Sequence, residues 1–174
     1  AAQCLQMEIN QAVGRQDWYT ALDRALELVD QSHSADNRLL LAEVIADVTY
    51  SGETMTTEQF AAYAGGSGED TQAREYEALM DEYDRLERSI QRLEQESSGD
   101  EADEARMEEE QQLREQADEL LIQAQNIFAL RAFNSIADIH SLEAQVVRAR
   151  LYFAMHHEEE AVQTLRDAAG SAYT

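Results

Sequence analysis

Apolar residues recur at intervals of three and four along almost the whole chain, and that spacing predicts helices rather than strands. Leu5, Ile9, Ala12 and Val13 mark a first helix over residues 3–14. Trp18, Ala21, Leu22, Ala25, Leu28 and Val29 mark a second, running to Asp30 with Asp17 as its N-cap. A third, from Asp36 to Tyr50, is expected to bury Leu39, Leu40, Val44, Ile45 and Val48. Thr56 and Gln59 stand in the spacing of a capping box, opening a short helix with Phe60, Ala61 and Tyr63.

The most regular stretch lies between two glycine-containing breaks, Gly65-Gly66-Ser67-Gly68 and Ser97-Ser98-Gly99-Asp100. From Thr71 to Glu96, Tyr76, Leu79, Tyr83, Leu86, Ile90 and Leu93 form a heptad seam with charged residues nearly everywhere else. A second long helix begins near Glu101. Folding back about the second break sets Ile90 opposite Met107, Tyr83 near Leu113, and Tyr76 near Leu120 and Leu121. It also turns Arg85, Arg88 and Arg92 toward Glu108-Glu109-Glu110, with Asp81–Arg85 and Asp84–Arg88 as pairs along one helix. Apolar seam and charges agree, so an antiparallel hairpin over residues 71–119 is expected. The rival reading is a parallel coiled coil between two chains.

Beyond Leu120 the pattern turns apolar on several faces, with Leu120, Leu121, Ile122, Ile127, Phe128, Leu130 and Phe133. Residues 1–66 and 120–174 are therefore read as two parts of one helical body. A break near His140-Ser141 precedes a helix with Leu142, Val146, Val147, Leu151, Tyr152 and Phe153. A last helix, with Ala161, Leu165 and Ala168, follows the His156-His157 turn.

Composition changes the picture at three points. The 174 residues contain no proline and no lysine, and all 13 basic residues are arginine against 36 acids, a net charge of −23. Nucleic-acid binding is set aside, because phosphate contacts need clustered cations, and anionic membrane surfaces are disfavoured for the same reason. Acid gain with lysine loss resembles proteins adapted to concentrated salt, where like-charge repulsion is screened; an acidic docking surface for a basic partner is the alternative. No apolar run reaches the roughly 20 residues that span a bilayer. A chain beginning at Ala1 reads as a mature or trimmed product, either cytoplasmic in a halophile or exported. Cys4 is the one cysteine, so no internal disulfide forms; a small hydrophobe on the first helix explains it better than a lipidated residue.

Catalytic and metal chemistry find little footing. His156-His157-Glu158-Glu159-Glu160 is the one metal-like cluster, but neighbours on a helix diverge by about 100°. A solvated turn with acids at a helix N-terminus accounts for the same residues. No Glu-x-x-His, His-Glu-x-x-His, phosphate loop or calcium loop occurs. No enzyme activity, cofactor or metal is expected.

The two ends of the chain resemble each other at a constant offset of 140 residues. Ile9, Ala12, Gln16, Trp18, Ala21, Ala25 and Leu28 correspond to Ala149, Tyr152, His156, Glu158, Ala161, Leu165 and Ala168. These spacings resemble the tetratricopeptide repeat, a helix-turn-helix unit of about 34 residues. Gln16 and His156 stand where that family has its turn glycine, and the middle of the chain fits poorly. The resemblance implies a helix-pair solenoid whose concave face holds a peptide or protein segment.

The expected fold is all-α: a tetratricopeptide-like helix-pair body with a projecting antiparallel coiled-coil hairpin. The expected function is a non-catalytic scaffold or adaptor for a protein partner. Candidate contact residues are Trp18, Tyr19, Arg85, Arg88, Arg92 and Tyr152. The alternative is a structural subunit that self-associates through residues 74–118.

Overall fold

The computed structural model describes residues 2–65, 70–96 and 103–172, and these form eight α-helices with no strand among them. In chain order they are α1 (Ala2–Gly14), α2 (Trp18–Gln31), α3 (Ala35–Tyr50), α4 (Thr57–Tyr63), α5 (Thr71–Gln95), α6 (Asp103–Ser135), α7 (Leu142–Ala154) and α8 (Glu158–Ala172). The joint at Gly66–Gly68 and the turn at Ser97–Asp100 lie outside the described residues.

Polar side chains start the helices where the sequence places them, satisfying backbone N–H groups that would otherwise lack partners. Asp17 accepts from the Thr20 amide at 3.3 Å and Ser34 from the Asn37 amide at 3.2 Å. Thr56 and Gln59 complete a reciprocal capping box at 3.0 and 3.1 Å. The free amide of Gln59 then donates to the Tyr19 carbonyl at 2.9 Å, tying α4 to α2.

One apolar core runs from Leu5 on α1 to Met155 after α7. The middle helix, α3, packs against α2, α6 and α7, while α1 covers α2 and α8 covers α7. Two corrections to the sequence pattern arise here. Leu41, rather than Leu40, is fully buried on α3. On α6 the buried stripe is Ala124, Phe128, Ala132 and the adjoining Ile136, whereas Ile122 and Leu130 face outward. Alanines allow helices to approach closely, so Ala124 and Ala132 share the buried stripe with Phe128 while Ile122 and Leu130 stay outside it.

The 140-residue offset recurs in the helices and in the turn between them. α7 begins and ends 140 residues after α1, and α8 begins 140 residues after α2. The Asp17 amide donates to the Ala12 carbonyl at 2.9 Å, as the His157 amide does to Tyr152 at 2.8 Å. Gln16 and His156 take the left-handed backbone, at φ 58° and 63°. That is the conformation glycine adopts most easily, and here a residue with a side chain takes it at both turns.

α5 and α6 form a long packed pair, consistent with the expected hairpin. Its seam is filled from within the chain by Leu86, Ile90 and Ala117, flanked by Tyr83, Leu113 and Leu120. The register differs from expectation by about one heptad. The Tyr76 ring meets Phe128, with centroids 6.2 Å apart, rather than Leu120 or Leu121. Met107, expected opposite Ile90, is exposed. A seam of period seven matches equally well after a seven-residue slip, so the apolar pattern could not separate the two. Tyr76 anchors the pair to the body: it is buried, stacks on Phe60 at 4.4 Å and donates to the Met55 carbonyl at 2.6 Å.

Candidate functional site

Tyr19 emerges on the second residue of α2, and the helix carries Asp23, Leu26, Glu27 and Asp30 away from it at intervals of three and four. All five share one face. The capping box of α4 and its Gln59 tie set that short helix beside this face. A groove of about 810 Å³ opens between them. Its apolar lining comes from Tyr19, Leu26, Val29, Leu41, Ala62 and Tyr63, and its carboxylates from Asp23, Glu27, Asp30 and Glu58. Among the described residues no guanidinium lines it, and His33 also borders it. Arg24 reaches Glu27 at 3.1 Å but is also held by Glu8 at 2.9 Å on the far side. Tyr19 is 60% exposed, unusual for an aromatic on a helix that packs into the core.

Phe60 and Arg131 back the inner wall of the groove at Tyr63. The Tyr63 ring meets Phe60 edge-on at 6.2 Å, and the Arg131 guanidinium lies 5.6 Å from the Tyr63 centroid. Arg131 is fixed in turn by Asp70 at 3.3 Å and Gln72 at 2.8 Å. Burial pushes the Tyr63 hydroxyl up to about 12, against smaller downward pulls from Ser135 and Arg131.

A smaller hollow of about 350 Å³ lies between α3 and α7, edged by Tyr50 and Phe153. Arg150 closes its polar side, bridging from α7 to Glu43 at 3.0 Å and to Asp47. Burial raises the Asp47 pKa, with Glu43 adding to it and Arg150 opposing.

The candidate contact residues fall into three places. Tyr19 lies in the groove. Trp18 and Tyr152 pack against the main core, Tyr152 with Phe133 at 4.7 Å and the His157 ring at 6.2 Å. Arg85, Arg88 and Arg92 stay on α5, and they do not meet Glu108-Glu109-Glu110 as expected. Arg85 turns to Glu82 on its own helix at 2.5 Å, and among the described residues Arg88 and Arg92 make no ion pair. Arg114 makes the link between the arms instead, to Glu94, while holding Glu110 at 2.7 Å. The heptad slip is the reason.

The four groove carboxylates were not singled out from the sequence. Their signal was present: Tyr19, Asp23, Glu27 and Asp30 repeat at helical spacing. Glu58 had none, because only the tertiary position of α4 brings it in. The His156-His157 turn is open to solvent, with Glu158, Glu159 and Glu160 beside it. Among the described residues no three His, Cys, Asp or Glu side chains are placed to share a metal ion, and no helix is long and apolar enough to cross a membrane. Compared with protein-family models, curated proteins and solved structures, the chain finds no match.

Proposed function

We propose that this chain is a non-catalytic interaction scaffold that holds a basic segment of another protein in the groove between α2 and α4. One observation carries the reading: an exposed tyrosine and four carboxylates line a groove whose described lining holds one histidine, His33, and no arginine. Such a lining suits an extended or helical segment in which Arg or Lys flanks an apolar residue. The apolar side chain covers Tyr19 and Leu26 while the cations reach the rim. The body that carries the groove is read as tetratricopeptide-like, supported by the 140-residue recurrence of both helices and their turn. On that reading the hairpin is an insertion between α4 and the body's later helices.

Trp18, the single tryptophan, adjoins Tyr19 and serves as a built-in reporter. A ten-residue peptide alternating Arg and Leu is titrated while its emission is followed. Binding is expected to weaken about tenfold in Tyr19→Ala and in Asp23→Asn/Glu27→Gln, corresponding to about 1.4 kcal/mol. A matched charge control, Glu158→Gln/Glu159→Gln, removes two acids far along the chain. Equal losses in the control and the double groove variant would mean that net charge and not the groove attracts the peptide, and no loss in any groove variant would mean that the groove does not hold it.

A further inference from the structure

The groove between α2 and α4 has a period as well as a charge. Ala21, Leu22, Ala25 and Leu28 turn one face of α2 into the core and are buried. On the groove side Tyr19 and Leu26 make a second apolar line, seven residues apart. That interval is two helical turns, the repeat with which one helix packs along another. Asp23, Glu27 and Asp30 run beside this line and are exposed. On the facing wall Ala62 is exposed as well, a small side chain that lets a backbone come close.

The spacing of the carboxylates discriminates between the two shapes a bound segment can take. At about 1.5 Å per residue, Glu27 lies about 6 Å along the axis from Asp23, and Asp30 about 4.5 Å further. A helix lying along α2 repeats those steps with residues four and three apart, so three cations meet three carboxylates in one register. An extended segment returns a side chain to the same side only every ~6.8 Å, and its third cation overshoots Asp30 by about 3 Å.

Backbone hydrogen bonding points the same way. Thr56 and Gln59 line the groove, but their side chains are engaged in the capping box and in the tie to Tyr19. The Tyr63 hydroxyl is buried. An extended backbone therefore finds few partners on these walls, whereas a helix pairs its own N–H and C=O groups.

We infer that the segment held between α2 and α4 is an amphipathic helix of about three turns. Its apolar residues, seven apart, cover Tyr19 and Leu26, and Arg or Lys at intervals of four and three faces Asp23, Glu27 and Asp30. Glu58 offers a fourth carboxylate from the α4 wall. The inference rests on the groove being a site for a basic segment, and adds the shape and phase of that segment.

Three fourteen-residue peptides of Arg, Leu and Ala, each titrated against the Trp18 emission, test it. The first sets Leu seven apart and Arg at intervals of four and three on the same face. The second has the same composition, with Arg and Leu confined to every second residue. The third is the first with proline in place of a central alanine, which breaks a helix. The first is expected to bind about tenfold more tightly than either of the others, and, labelled with carbon-13, to gain helical Cα shifts when bound. A second or third peptide that binds as tightly as the first, or a bound first peptide without helical shifts, would overturn the helix and leave the groove as a site for a basic segment. No binding by any of the three, or binding that Asp23→Asn/Glu27→Gln leaves unchanged, would overturn the groove itself and the helix with it.

Discussion

At the scale of single residues, the two turn positions show most directly how the sequence departs from what its backbone prefers. Gln16 and His156 both occupy the left-handed region, which costs a side-chain-bearing residue roughly 1–2 kcal/mol. Part of that returns as the smaller entropy of an unfolded chain without glycine. Gln16→Gly and His156→Gly are therefore each expected to raise stability by up to about 1 kcal/mol in urea unfolding. A drop in stability on either change would show that the side chain makes a contact worth more than the strain. Tyrosine supplies a second test. With burial holding its pKa near 12 against an ordinary 10, Tyr63 stays neutral in the folded protein when it would already ionise unfolded. The sign follows: this contribution is complete below pH 10 and is lost as pH rises through 12. Burial also drives Tyr76 upward, against smaller downward pulls from Thr54 and the Met55 backbone. Burial raises Tyr83 as well, with Glu87 and Asp118 adding to it, so ultraviolet titration of the seven tyrosines should show Tyr63, Tyr76 and Tyr83 ionising late, the first two together with alkaline unfolding. A single phase near pH 10 would contradict their burial.

At the scale of helices, much was legible because a 3.6-residue repeat and its caps are local properties. Asp17, and the pair of Thr56 and Gln59, mark their helices in the sequence and do so in the fold. Non-local information was not legible. The heptad seam between α5 and α6 predicts a hairpin but fits two registers, and residues on the partner helix choose between them. The aliphatic richness of α6 after Leu120 signals burial, yet neighbouring helices select the alanine stripe. The groove had half a signal, the acidic repeat on α2, and became a groove only through the Gln59 tie to α4. The hairpin itself should be the less stable element. Its separate cluster has three buried side chains, Leu86, Ile90 and Ala117, against the continuous core of the body. Ile90→Ala is expected to cost about 2–3 kcal/mol locally and to speed hydrogen exchange in α5 and the first half of α6. Exchange in α3 and α7 should stay unchanged, because Tyr76 and not Ile90 joins the pair to the body. Uniform acceleration across all helices would instead make hairpin and body one cooperative unit.

At the scale of the whole molecule, charge dominates. A net −23 on one small fold means that compaction works against self-repulsion in dilute buffer. The arginines offset this locally at helix junctions. Arg38 clamps Asp138 with two hydrogen bonds at 2.8 and 3.2 Å and donates to the Ser135 carbonyl at 3.0 Å. Arg150 joins α7 to α3, and Arg148 donates to the Ile136 and Ile139 carbonyls at 3.0 and 2.9 Å. These junction arginines are multidentate, a geometry that lysine does not reproduce. Among the described residues most acids have no arginine clamp of this kind, and these gain from screening. If the composition is an adaptation to brine, folding stability should therefore rise steadily between dilute buffer and molar salt. A junction pair such as Arg150–Asp47 is partly shielded from solvent and should lose little over the same range. Potassium chloride and sodium sulfate, compared at equal ionic strength, separate screening from a general strengthening of apolar burial, since sulfate acts on the latter. Stability that rises equally in both salts supports screening of the acidic surface. A curve that stays flat in chloride removes brine adaptation as the reason for the acidity and leaves a basic partner as its explanation.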